Sequence, residues 1–149
     1  MRHLTRAVAV LFCLASQAAA QATPIDVKKT NGCGCCLAWM EHLEENGFAP
    51  NGENLFGGLL IRFKLDNGVP RRMVSCHTGL IDGYIIEGHV PADDIRRLLS
   101  EKPDAVGLAV PDMPLGSPGM DQGRRRTAYD VFLIKNDGST EVFSSYPGN

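Results

Sequence analysis

Three cysteines lie within four residues, Cys33-Gly34-Cys35-Cys36, between a short apolar run and an amphipathic pattern. Ile25 to Lys29 reads as a strand. Cys36, Trp39, Met40, Leu43 and Gly47 then fall at offsets of 0, 3, 4, 7 and 11, with Glu41, Glu44 and Glu45 on the other side. That spacing predicts a helix with Gly47 as its stop, and it places Trp39 and Met40 in the core and His42 on the exposed face. The sulfurs therefore stand at a helix N-terminus, where unpaired amide N–H groups and the positive dipole end favour thiolate over thiol. Thiolates attack disulfides and bind soft metals. Stapling alone explains the cluster poorly. Closing Cys33 to Cys36 constrains about four residues and gives about 2 kcal/mol, whereas Cys36 to Cys76 would constrain about 41 and give about 4.

The fourth sulfur comes with an imidazole, in Ser75-Cys76-His77-Thr78. Neighbours on a strand point to opposite faces, so Cys76 and His77 share one site only at a bulge or a strand end. There His77 would be a metal ligand or handle a proton for a thiol; otherwise it is a hydrogen-bonded histidine of the core or surface. His89, in Glu87-Gly88-His89-Val90-Pro91, is a second candidate ligand, with a structural cap as the alternative. Met113 and Met120 add two thioethers in a proline-stiffened loop. Thiolate and thioether together prefer Cu(I), which ranks copper above zinc here; without the cysteines these methionines would read as core filler. Arg124-Arg125-Arg126 reads as a solvated loop edge.

The chain opens with Arg2, His3 and Arg6, runs apolar from Ala7 to Ala15 and reaches Ala18-Ala19-Ala20, the pattern of a secretory signal peptide over residues 1–20. Phe12 before Cys13 is too bulky for the usual lipidation context, so no stable membrane anchor is expected. Of 149 residues, 129 then remain as residues 21–149, with 13 basic and 17 acidic side chains. That balance excludes a strongly basic nucleic-acid surface. It is also a length that buries one core without disulfides. The rest of the chain offers a strand within Leu55 to Leu65, a hairpin from Met73 to His89 turning at Asp82-Gly83, and a helix starting at Pro91 and ending at Lys102-Pro103. Pro103 to Arg126 reads as a long irregular segment, and Tyr129 to Tyr146 as a hairpin turning at Asn136-Asp137-Gly138. These elements predict an α+β fold, a thioredoxin-like sandwich with an added C-terminal hairpin.

Taken together, Cys33-Gly34-Cys35-Cys36 with Trp39, Ser75-Cys76-His77-Thr78, Asp82-Gly83-Tyr84, Glu87-Gly88-His89-Val90-Pro91, and Pro103-Asp104-Ala105-Val106-Gly107-Leu108 through Met113 to Gly119-Met120 carry a resemblance over nearly all of residues 25 to 146. The chain resembles the periplasmic metal-binding family of unknown-function domains that includes CopG-type copper-resistance proteins. The resemblance implies a thioredoxin-like fold, a copper cluster on the Cys-Gly-Cys-Cys sequence and the Cys-His pair, and a redox role in copper handling. It places the site at Cys33, Cys35, Cys36 and Cys76, with His77 and His89 nearby. The stretch Ala49 to Gly68 is longer and less regular than the family's usual link. The expectation is a periplasmic protein that holds Cu(I) and meets other periplasmic copper-handling proteins. The rival is a thiol-disulfide oxidoreductase using Cys33 and Cys36 catalytically, and a disulfide-stapled interaction module is a third reading.

Overall fold

Thr23–Lys29 (β1) buries Ile25, Val27 and Lys29 at alternate positions, the period of a strand with one face covered. It lies inside a seven-stranded mixed sheet with three helices, seen in a computed structural model that describes residues 21–120 and 123–149. The signal-peptide reading of residues 1–20, Cys13 included, lies outside the described residues.

After β1 come Gly34–Glu45 (α1), Phe48–Asn54 (β2), Leu59–Asp66 (α2), His77–Ile81 (β3), Tyr84–Glu87 (β4), Ala92–Glu101 (α3), Gly107–Ala109 (β5), Tyr129–Ile134 (β6) and Thr140–Tyr146 (β7). The sheet runs β2-β1-β3-β4-β5-β6-β7. Strands β1/β2 and β4/β5 pair parallel and the others antiparallel. The α+β class, the hairpin at Asp82-Gly83 and the C-terminal hairpin are as expected. Lys102 ends α3 in the left-handed conformation.

Two expectations about the elements fail. The strand expected within Leu55 to Leu65 is the helix α2: Gly57 and Gly58 break the chain, and Leu60 and Lys64, four apart, turn to the same buried side. The second strand lies earlier, in Phe-Ala-Pro-Asn-Gly-Glu-Asn, where only Phe48 is buried. Those residues are poor strand formers, and they pair because they lie at the sheet edge against β1, where proline is tolerated. The long irregular segment from Pro103 to Arg126 contains β5, three residues parallel to β4. Gly107 there has φ +152°, and a Cβ would stand 1.8 Å from the Ile85 carbonyl oxygen, so only glycine fits.

The two faces of the sheet carry different cores. One gathers Trp39 and Leu43 of α1 and Ile95 and Leu98 of α3 over Ile25, Val27, Ile81, Ile86 and Leu108. The other packs Val69 and Met73 on Ile85, Ala109 and Ile134. His42, expected to be exposed, is half-buried; its Nε2 accepts from the Ala92 amide at 3.2 Å and joins α1 to the start of α3. Arg124, Arg125 and Arg126 are exposed, as expected.

A buried ion pair ties α2 to the sheet. Lys64 Nζ donates to Glu87 Oε1 at 2.7 Å and to Thr78 Oγ1 at 2.8 Å, and Thr78 donates to Glu87 Oε2 at 2.6 Å. Burial pushes the Lys64 ammonium down and the Glu87 carboxyl up, each opposed by the partner's charge. Lys64→Met should therefore destabilise the protein by about 3–5 kcal/mol by leaving a carboxylate buried without its cation. Lys64→Met with Glu87→Gln should recover part of that loss; urea unfolding of both variants checks it, and a double variant weaker than the single one refutes the account. Gly119 presses on α1, since a Cβ there would meet Trp39 N at 2.6 Å and the Cys35 carbonyl at 2.8 Å, with φ at +80°. Gly119→Ala should destabilise by about 1–3 kcal/mol and speed alkylation of Cys35. Unchanged alkylation would show that the loop does not shield the thiol.

Candidate metal centre

Antiparallel pairing of β1 with β3 sets Lys29 opposite His77. Cys76, one residue before β3 begins, is thereby carried to the end of β1, where the chain turns into α1. Cys33 is the N-cap of α1, and Gly34, Cys35 and Cys36 form its first turn. Cys36 is buried, while Cys33, Cys35 and Cys76 are half-buried. The strand end is what lets Cys76 and His77 face one place, as the spacing argument required.

Cys33 and Cys36 are joined as a disulfide with 5.3 Å between their Cα atoms, and Cys35 and Cys76 are free. Cys35 Sγ lies 3.5 Å from Cys33 Sγ and 3.8 Å from Cys76 Sγ. The four sulfurs lie within 4.8 Å of one another. Burial pushes the Cys76 thiol up to about 12, with the neighbouring Cys35 adding to the shift. In the metal-free protein Cys76 is a thiol, and a soft metal must displace its proton to bind.

Both candidate histidines meet that sulfur. His77 Nδ1 is 3.4 Å and His89 Nε2 3.1 Å from Cys76 Sγ. His89 Nδ1 lies 2.9 Å from the Pro118 carbonyl, which only accepts, so Nδ1 carries the hydrogen and Nε2 keeps its lone pair toward Cys76. The His77 ring packs on Trp39 at 4.2 Å and edge-on to His89 at 4.9 Å, and His77 Nε2 is buried with no partner among the described residues. Burial holds both imidazoles below the usual histidine range; nearby His89 and Lys64 lower His77 further, and the Pro118 carbonyl opposes the shift at His89. Both rings are neutral near pH 7, the form that ligates metal.

The methionines lie on the loop between β5 and β6. Met120 follows Gly119 on the loop against α1, its amide donating to the Ser117 carbonyl at 2.8 Å. Met113 is half exposed in a groove with Pro111, Asp112, Tyr129 and Phe132. Three supporting residues escaped the sequence reading. Ser75 donates its hydroxyl to the Asp112 carbonyl at 2.6 Å, and its amide donates to Glu87 Oε1 at 2.7 Å. Lys64 and Glu87 lie below Thr78; a lysine and a glutamate inside apolar runs were the only signal for them. Trp39, read as core, also donates Nε1–H to the Val90 carbonyl at 2.9 Å, and so braces the segment that carries His89. Soft sulfur beside neutral imidazole, in a partly desolvated pocket, fits a thiophilic metal ion.

Comparison with known proteins agrees with that chemistry. The profile described as "Protein of unknown function, DUF411" matches residues 73–120. A solved structure titled "Copper resistance protein copG- Form 1" superposes with a TM-score of 0.79 at 47% identity, covering 86% of this chain and 100% of that one. A second, "Copper resistance protein copG- Form 2", gives 0.78 at 46% identity, covering 85% and 100%. No curated protein matches. Identity of 47% over the whole of a copper resistance protein, together with the profile match, makes this chain a member of the DUF411 family that includes the CopG-type copper-resistance proteins.

Proposed function

We propose that the reduced protein binds copper as Cu(I) on Cys33, Cys35, Cys36 and Cys76, and serves copper handling and resistance in the periplasm. His77 and His89 stand against Cys76, and Met113 and Met120 supply accessory thioethers on the neighbouring loop. The observation that carries this reading is the gathering of four sulfurs from two distant stretches within 4.8 Å. Likeness to the CopG structures supports copper over zinc, and so does the preference of thiolate clusters for Cu(I). A thioredoxin-like frame is supported by the parallel β1/β2 pair with α1 between them in sequence, flanked by antiparallel β3 and β4. The periplasmic reading rests on the leader pattern of residues 1–20 and on a disulfide, which oxidising compartments favour. No helix among the described residues is long and apolar enough to cross a membrane. Other periplasmic copper-handling proteins are the partners this chemistry suits.

The Cys33–Cys36 disulfide favours a second activity on the same residues. Cys33 is the more accessible of the two and Cys36 is fully buried. In that reading the Cys33 thiolate attacks a substrate disulfide and releases one substrate thiol. Cys36 then displaces the second thiol and closes the Cys33–Cys36 bond.

Anaerobic competition against a colorimetric Cu(I) chelator tests the first reading. The fully reduced protein should take up Cu(I), and Cys35→Ser should lower the affinity by at least about tenfold while leaving the Cys33–Cys36 disulfide able to form. Uptake as tight in Cys35→Ser as in the parent removes the sulfur cluster from the account. For the second reading, a Cys33–Cys36 potential in the range of roughly −120 to −270 mV with copper-independent turnover is expected. A potential well below −300 mV marks the bond as structural.

A further inference from the structure

Asparagine precedes glycine four times in the chain, at Asn31-Gly32, Asn46-Gly47, Asn51-Gly52 and Asn67-Gly68. Such a pair is chemically fragile, because no Cβ on the second residue hinders its amide nitrogen from reaching the asparagine side chain. Closing the five-membered ring requires the asparagine backbone to swing out of the helical or extended conformation. Hydrogen bonds to the side chain or from the following amide oppose that swing, since they must open first.

Three of the four pairs are held. Asn46 and Asn67 are the C-caps of α1 and α2, and their Nδ2 groups donate to the His42 carbonyl at 2.8 Å and the Phe63 carbonyl at 2.7 Å. The amides that would attack, those of Gly47 and Gly68, each donate at 3.1 Å to the Glu44 and Leu65 carbonyls respectively. Asn51 and Gly52 lie inside β2, in register with Asp26 and Val27 of β1, and Asn51 Nδ2 donates to Asp26 Oδ1 at 3.2 Å. Asn31-Gly32 is the exception. Both residues are exposed on the turn between β1 and α1, and neither the Asn31 side chain nor the Gly32 amide has a hydrogen-bond partner among the described residues. Gly32 has φ +72°, with nothing within 4 Å of where a Cβ would stand, so the turn can rearrange without a clash.

We propose that Asn31 is a self-modification site, converted to aspartate and isoaspartate through a succinimide, and that the fold spares the other three pairs. Gly32 N gives its proton to a base and attacks Asn31 Cγ. The new N–C bond displaces Nδ2, which takes up a proton and leaves as ammonia. Water then opens the ring. Addition at Cγ breaks the Cγ bond to Gly32 N and yields aspartate. Addition at the main-chain carbonyl carbon breaks that carbon's bond instead, and Gly32 stays attached through Cγ as isoaspartate. One water enters, one ammonia departs and nothing is oxidised. Either product sets a carboxylate two residues before Cys33, the N-cap of α1, on the side where the helix dipole favours negative charge. Isoaspartate also lengthens the main chain by one methylene there. No step needs a metal or a thiol, so the modification stands apart from the copper reading.

The test incubates the purified protein, with the Cys33–Cys36 disulfide closed, in mildly alkaline buffer made with oxygen-18 water. Mass spectrometry of its peptides follows each asparagine. Asn31 should become an acid carrying the heavy oxygen at least about tenfold faster than Asn46, Asn51 or Asn67, because those three need a local opening first. An isoaspartyl carboxyl methyltransferase should label the product at that residue. Asn31→Gln, whose longer side chain closes a six-membered ring far more slowly, should remove the fast conversion. In urea that unfolds the chain the four rates should come together. Conversion of Asn31 no faster than that of the held pairs in the folded protein overturns the proposal. So does a ranking that persists in urea, which would assign the difference to local sequence rather than to the fold. Heavy oxygen at Asn31 without isoaspartate would mean direct hydrolysis and overturns the succinimide route.

Discussion

The pairing of β1 with β3 fixes everything that happens at the sulfurs. Lys29 opposite His77 is the last rung of that ladder, and beyond it one strand turns into α1 while the other begins at Cys76. Strand registers are coarse in one respect: a slip of one residue exchanges the two faces of the sheet. Such a slip would send His77 away from Trp39 toward Lys64, and bring Thr78 under the aromatic ring. It would also strand the Lys64 ammonium without the hydroxyl and carboxylate it now meets. The two faces thus enforce the register jointly, one by aromatic packing and the other by a buried ion pair.

That division also explains how a cysteine outside any regular element is held in place. Cys76 has no ladder hydrogen bonds of its own to fix it, but its neighbours are fixed on both sides. Ser75 gives its amide to Glu87 and its hydroxyl to the Asp112 carbonyl, while His77 enters β3. Gly88, where a Cβ would stand 2.5 Å from the Val110 carbonyl and 2.7 Å from Ser75, allows the two segments to close over that contact. The ion pair of Lys64 and Glu87 is therefore more than a core oddity. A buried pair of this kind adds little net stability over apolar residues of the same size. Its value here lies in where it holds the Ser75 amide.

The sequence disclosed the chemistry more readily than the frame. Cys33, Cys35, Cys36 and Cys76 are legible because sulfur is rare and its spacing is local, and the helix after them has a clear 3.6 period. The hairpins were legible from Asp82-Gly83 and Asn136-Asp137-Gly138, whose turn chemistry is self-contained. Strand β2 was not, because Pro50, Gly52 and the asparagines carry no strand signal and the pairing with β1 overrides propensity. Helix α2 was misread because Ile61, Phe63 and Leu65 look like one face of a strand; what decided its form was Leu60 and Lys64 needing the same buried side. His42 was placed outside because its partner, the Ala92 amide, lies 50 residues away. The His89 to Pro118 contact is equally remote in sequence, so the ring's tautomer was beyond reach before the fold was known.

Three cysteines in four residues look redundant until helix geometry is applied to them. Cys33 and Cys36 are three apart at the N-cap and first turn, which brings their Cα atoms to 5.3 Å and lets them close on each other. Cys35 is about 100° around the helix from Cys36, and its sulfur lies between Cys33 Sγ at 3.5 Å and Cys76 Sγ at 3.8 Å. Cys33 and Cys36 are bonded and Cys35 and Cys76 are free, although all four sulfurs lie within 4.8 Å of one another. Cys76 in turn faces sulfur on one side and two neutral imidazoles on the other. A single cysteine at a strand end thus stands between the sulfurs of the helix start and two imidazoles.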